Sequence, residues 1–201
     1  MSDNYHHGDL KNALIQAGIE ILSRDGLPAL SLRNVAKQAG VSHMAPYAHF
    51  ADKQALIAAI AAEGFAKLYD KLSAAQQSQP EPVQSLFATA HAYLQFALDE
   101  PEHFNITFSG AVEAEKDYPE YVEQSQRCFR LVVTLVAECQ SEALFAGDDP
   151  QLLAVSIWSC IHGFVQLLLA NQFPSILLAQ YSAHDIFDLH LKRVLQIESS
   201  R

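Results

Sequence analysis

The chain has 201 residues, half of them hydrophobic, with eight glycines and eight prolines, so it is long enough for a proper core in one large or two small domains and is not a low-complexity or fibrous chain. A net charge of −10 excludes a generic nucleic-acid binder with a broad basic stripe. Three cysteines without a C-x-x-C pair exclude a disulfide framework or a zinc finger.

The opening MSDNYHHGD is polar and acidic rather than basic and then apolar, which is not a secretory leader, and the chain is expected in the cytoplasm. The periodicity predicts an all-α protein of about nine helices, with negligible strand signal. Leu10, Leu14, Ala17 and Ile21 make the inner stripe of a first helix over about 9–24, with Asp9 as its cap. Ser31 caps a second helix whose apolar positions are Leu32, Val35, Ala36 and Ala39. Gly40 ends it, because that position favours a residue that tolerates positive φ. Val41 plugs the turn, and Ser42 caps a third helix running through Tyr47 to about His49. Two helices that short bury no core alone, and their spacing is that of a helix-turn-helix placing one helix in the DNA major groove. Pro46 lies near the fourth position of that third helix, past the first turn where proline costs nothing, so local distortion is expected there.

Asp52 caps a long fourth helix over about 52–74 that carries Leu56, Ile60 and Leu68, and QQSQPEP at 76–82 is a loop. A fifth helix over 83–98 ends at Pro101, and 103–117 is read as a short helix with an irregular connection. Cys128, Leu131, Leu135 and Cys139 fall near one face of a helix over 119–145, where thiols at that spacing are read as small buried hydrophobes rather than a redox pair. After a Gly147-Asp148-Asp149-Pro150 turn comes a helix over 150–170, with Trp158, Ile161, His162, Val165 and Leu169 on one stripe. Its apolar run contains Ser156, Ser159, His162, Gly163 and Gln166 and lacks flanking Lys or Arg, so it is read as a buried helix and not a membrane span. A last helix spans about 184–197.

Charge divides the chain. Residues 1–55 hold five cations (Lys11, Arg24, Arg33, Lys37, Lys53) and five carboxylates (Asp3, Asp9, Glu20, Asp25, Asp52), so residues 56–201 carry the whole deficit. The expected organisation is a neutral helix-turn-helix domain over 1–55 and an acidic helical domain over 56–201, with DNA affinity resting on few phosphate contacts. On the third helix Val41, Pro46 and Phe50 point inward. His43, Met44 and Ala45 are placed to read bases: the methionine and alanine on thymine methyls, the histidine on a purine edge. Ser42 stands beside them at the start of that helix. Ser31 and Lys53, each at a helix start, and Arg33 are placed for phosphate or the groove edge, with Tyr47 outward and His49 at the margin.

The pairs Leu14-Ile15, Ala17-Gly18 and Ile21-Leu22 before Gly26 continue into Ser31, Val35-Ala36, Gly40-Val41-Ser42, Tyr47, Phe50, Lys53 and Leu56. This run resembles the N-terminal domain of tetracycline-repressor (TetR) family transcription regulators, and Tyr5-His6-His7-Gly8-Asp9-Leu10 is similar to the lead-in of one subgroup. Pro46 departs from the family's usual Leu or Ile. Trp158-x-x-x-His162-Gly163 resembles the signature of the WHG-type C-terminal domain. The resemblance implies a homodimeric, ligand-responsive repressor on a palindromic operator, with Tyr47 on a phosphate. It also implies a dimer interface at Trp158, His162, Gly163, Val165 and Leu169, where a missing side chain at Gly163 lets a partner backbone approach. Finally it implies an effector cavity, for which Phe65, Tyr69, Phe87, His91, Phe104, Phe108 and Phe129 are the candidates if they are not simply core. No basic pair marks an anionic ligand there, which favours an apolar or aromatic effector.

Two rival readings remain. One is a helical small-molecule-binding protein that does not bind DNA. The other is a helical metal enzyme built on Glu100-Pro101-Glu102-His103, but that Glu-x-x-His occurs once, without the second copy a di-iron site uses. HExxH, a nucleophile elbow and a phosphate loop are absent from the sequence, so the expected protein is not an enzyme and calls for no cofactor or metal.

Overall fold

The computed structural model describes residues 7–112, 118–142 and 149–195. Among these there is no strand, as expected. The helices are α1 (His7–Asp25), α2 (Leu32–Gln38), α3 (Lys53–Gln77), α4 (Pro82–Asp99), α5 (Pro101–Thr107), α6 (Pro119–Ser141), α7 (Pro150–Leu169), α8 (Ser175–Leu178) and α9 (Ala183–Val194), with 3₁₀ turns at Leu27–Ala29 and Ala45–Ala48. Helix α1 begins two residues before Asp9, which therefore lies inside it rather than at its cap. Pro101 opens α5 instead of only ending α4, since proline's missing N–H costs nothing in a first turn. Parts of three expected elements, at 113–117, 143–148 and 196–197, lie outside the described residues.

The chain forms two compact units, Met1–Lys67 with Glu100–Ser125 and Leu68–Asp99 with Gln126–Arg201. The expected boundary at 55/56 falls inside α3. Its opening residues Leu56, Ile57 and Ile60 complete the core made by Leu14, Ile15, Ile21, Leu30, Leu32, Val35 and Phe50, joined from α5 by Ile106.

Capping explains the element ends. Ser31 Oγ accepts from the Asn34 N–H at 3.1 Å, and Asp52 Oδ1 from Ala55 N–H at 2.8 Å. Helix α2 ends on Gly40 at φ 69, with Val41 N–H donating to Ala36 C=O and Gly40 N–H to Lys37 C=O. That pair of bonds is the Schellman motif, and Val41 then packs on the core cluster. Asp149 accepts from both Gln151 and Leu152 N–H, and Ser182 forms a reciprocal capping box with Asp185.

Within the first unit His103 is buried among charges. Its Nδ1 lies 3.1 Å from Glu100, and Lys67 Nζ stands 2.9 Å from Glu100, 3.3 Å from His103 Nε2 and 3.5 Å from Glu63. Hydrogen bonding from His103, then the Lys67 charge, holds the Glu63 carboxyl below the usual range. The Glu-x-x-His pair considered above for a metal is thus already neutralised by an ammonium.

In the second unit α4, α7 and α9 pack together around Leu94, Phe96, Val165, Phe187 and Leu191. Cys128 and Cys139 are buried there, and burial pushes their thiols up to about 12 and about 11. They pack as hydrophobes rather than reacting as thiolates.

Candidate nucleic-acid interface

The third helix expected over 42–49 is instead a 3₁₀ turn at Ala45–Ala48. Proline at 46 has no N–H to offer the Ser42 carbonyl, so Ala45 N–H takes that acceptor at 3.0 Å. The same three-residue step repeats from Tyr47 to Met44 and from His49 to Pro46. Ser42 does not act as a side-chain cap: Met44 occupies the cap position, without a side-chain bond. The inward set holds, with Pro46 and Phe50 buried and Val41 packed against the core cluster.

Met44 (61% exposed) and Tyr47 (54%) project outward. Ser42 and His43 are also exposed, while Ala45 is half-buried. Arg33 from α2 joins His43, Met44 and Tyr47 in lining one open surface hollow of about 520 Å³. Four side chains picked from the sequence therefore converge. His49 does not join them. Its ring lies 6.3 Å from Phe50, and it lines a separate hollow with Lys11, Tyr118 and Tyr121.

The unit's cations are mostly engaged. Lys11 pairs with Glu120 at 3.1 Å, Arg24 with Asp25 at 2.9 Å and Lys67 with Glu100. Lys53, expected on phosphate, donates to the Leu27 carbonyl at 3.0 Å and is partly buried, so one of its three N–H bonds holds the 3₁₀ turn at Leu27–Ala29. Arg33 and Lys37 are exposed, and no carboxylate among the described residues lies within ion-pair distance of either. They stand four residues apart on α2, which puts both on one face. Sequence reasoning missed Lys37, although its spacing from Arg33 was available to find it.

Residues 14–60 match the family described as bacterial regulatory proteins, tetR family. Residues 86–194, more than half the chain, match the tetracyclin repressor-like C-terminal domain. The chain belongs to the TetR family. As a TetR-family member it is a DNA-binding transcriptional regulator. It is similar to the uncharacterized HTH-type transcriptional regulator YobS of Bacillus subtilis (strain 168), 25% identical over 167 residues covering 83% of this chain and 82% of the relative. A protein of unknown function from Rhodococcus sp. RHA1 shares its fold with a TM-score of 0.82 and 29% identity, covering 97% of this chain and 98% of the other. A TetR family transcription regulator from Marinobacter aquaeolei VT8 gives a TM-score of 0.72 at 19% identity, covering 96% of each chain.

In this TetR-family chain α7 differs from the buried helix expected. It is long and apolar enough to cross a membrane, yet only 28% of its apolar window is buried within the chain. Leu152 (73% exposed), Val155, Ser156, Ser159 and Leu167 (50%) line its open side, and nothing lies within 4 Å of where a Cβ on Gly163 would sit. Two of the expected interface residues face inward instead. Val165 is 0% exposed and packs the protomer's own core. His162 Nδ1 meets the Tyr93 hydroxyl at 2.7 Å, and Trp158 Nε1 donates to the same hydroxyl at 3.4 Å. Burial holds the His162 imidazolium below the usual range and pushes the Tyr93 phenol up. The Trp–His pair thus grips α4 from α7, while Gly163 looks outward and Leu169 is half-buried.

The effector candidates separate. Phe104 is fully buried in the first unit, with Phe108 at 4.9 Å and Phe65 edge-on to Phe108 at 5.4 Å, an aromatic core cluster. In the second unit Arg127 lies 3.6 Å over the Tyr69 ring, and His91 bonds Asp188 at 2.7 Å. Phe87 and Phe129 are half-buried.

Proposed function

We propose that this TetR-family regulator is a ligand-responsive repressor that works in the cytoplasm as a homodimer on a near-palindromic operator, through occupancy of DNA rather than enzymatic chemistry. The observation that carries the DNA-docking reading is the convergence of Arg33, His43, Met44 and Tyr47 on one exposed hollow. In this reading residues 1–55 dock on DNA and 56–201 carry dimerisation and effector binding. Ser31, Arg33, Tyr47 and Lys53 serve the backbone. His43, Met44 and Ala45 reach base edges, with Ser42 beside them, and His49 is peripheral.

The open, apolar side of α7, with Gly163 at its middle, supports an isologous two-fold interface, joined by Leu189 on α9. That cover accounts for a long apolar helix without a membrane. The effector is a small molecule, apolar or aromatic, held in the second unit near Tyr69, Phe87, His91 and Phe129. It moves operator affinity by its differential affinity for DNA-competent and incompetent states.

A duplex selected from a random library gives the test. Few cations are unengaged, so each phosphate contact is a large share of the salt dependence. Arg33→Ala is expected to reduce the slope of log affinity against log salt by about two per dimer, one for each protomer. An unchanged slope would remove Arg33 from the backbone.

A further inference from the structure

The docking segment carries a hydrophobic side chain at its tip. Met44 is the most exposed large hydrophobic residue among the described residues of the first unit. The 3₁₀ geometry sharpens its role. Three residues complete one turn, so Met44 and Tyr47 stand in line as a single ridge rather than fanning out over several positions as on an α-helix. Among the described residues the hollow beside that ridge is lined by Arg33, His43, Met44 and Tyr47, without the Asn, Gln, Asp or Glu that would read adenine or cytosine edges. The apolar feature of a B-form major groove is the 5-methyl group of thymine. An unbranched thioether with three rotatable bonds can close on such a methyl without needing an exact backbone distance.

We propose that Met44 reads a thymine 5-methyl group at one position of each operator half-site; this rests on the DNA-docking reading above. Arg33, across the hollow, sets the register on a phosphate, and the methionine then supplies discrimination by shape and desolvation rather than by hydrogen bonding. The contact is made once per protomer, so it is repeated symmetrically in a palindromic site.

The test uses the full chain and a duplex it selects from a random library. Each thymine is replaced in turn by deoxyuridine, which removes the methyl and keeps base pairing. One position per half-site is expected to lose affinity about fourfold, the effect of leaving one methyl-sized group in water, with other positions unchanged. Met44→Ala removes the contact from both protomers, so it is expected to bind the thymine duplex about 16-fold more weakly, two fourfold losses, and to be indifferent to deoxyuridine at that position, while Met44→Leu keeps the discrimination. Met44 is exposed, so neither variant disturbs the core. Absence of any sensitive position, or equal sensitivity in Met44→Ala, would overturn the proposal. Failure of folded, dimeric protein to select any duplex would instead overturn the docking reading, and the methyl readout with it.

Discussion

Gly163→Glu is expected to leave each protomer folded and to abolish dimerisation and operator binding. The new Cβ meets nothing within 4 Å in the protomer. Glutamate is also a better helix former than glycine, by roughly 0.5 kcal/mol in a helix interior, so the isolated chain gains rather than loses. In a two-fold pair the same position would bring two carboxylates into an apolar seam beside Ser159 and Leu167. Desolvating an unpaired ion costs several kcal/mol, which outweighs the helix gain many times over. Loss of the pair removes the bivalent grip on two half-sites, worth about 100-fold or more in affinity. Sedimentation should show a monomer with unchanged helicity, and binding to a selected duplex should fall accordingly. A Gly163→Glu protein that stays dimeric would move the interface off this face of α7.

Gly64→Ala is expected to destabilise the first unit by about 1–2 kcal/mol, although alanine normally improves a helix by about 1 kcal/mol. A Cβ at residue 64 would overlap the Thr107 hydroxyl, stand 3.4 Å from Thr107 Cβ and lie 3.5 Å from the His103 carbonyl. Helix α5 cannot back away, because His103, Phe104, Ile106 and Thr107 are all buried. Overpacking therefore wins over propensity. Thr107 Oγ1 is buried without a hydrogen-bond partner among the described residues, so Thr107→Ala gives up no bond while making room. The double variant Gly64→Ala, Thr107→Ala should recover most of the loss, a coupling of about 1–2 kcal/mol. Denaturant midpoints at one fixed protein concentration measure it, since a dimer's stability depends on concentration. Equal losses with and without Thr107 would contradict the close approach of α3 and α5.

Some parts of this molecule are written locally, and those were legible. Gly40 and Val41 specify their turn through backbone sterics and one plug residue, so the end of α2 follows from two letters. Ser31 and Asp52 announce their helices in the same way. Pro46 marked where the docking segment would depart from an α-helix, but the 3₁₀ outcome depended on which donor took the Ser42 carbonyl, a competition the letters do not decide.

Sidedness on α7 was not legible. That helix is apolar nearly all round, so periodicity identifies a helix without saying which stripe meets the protomer's own core. Val165, expected against the partner, faces inward, while the equally apolar Leu152 and Leu167 face out. Lys53 shows a related limit: its position in a first turn suits a phosphate, but the Leu27 carbonyl that it also meets is 26 residues away in sequence.

Entry of residues 43–48 into the DNA groove is tested most directly by a tethered cleavage reagent. Cys128 and Cys139 are buried and only Cys160 is exposed, so Met44→Cys in a Cys160→Ser background offers one reactive thiol for an iron–EDTA conjugate. On a selected duplex, strand scission is expected at two sites, one inside each half-site and about one helical turn or a multiple of it apart. Scission outside the protected sequence, or none on DNA that the conjugate demonstrably binds, would contradict it.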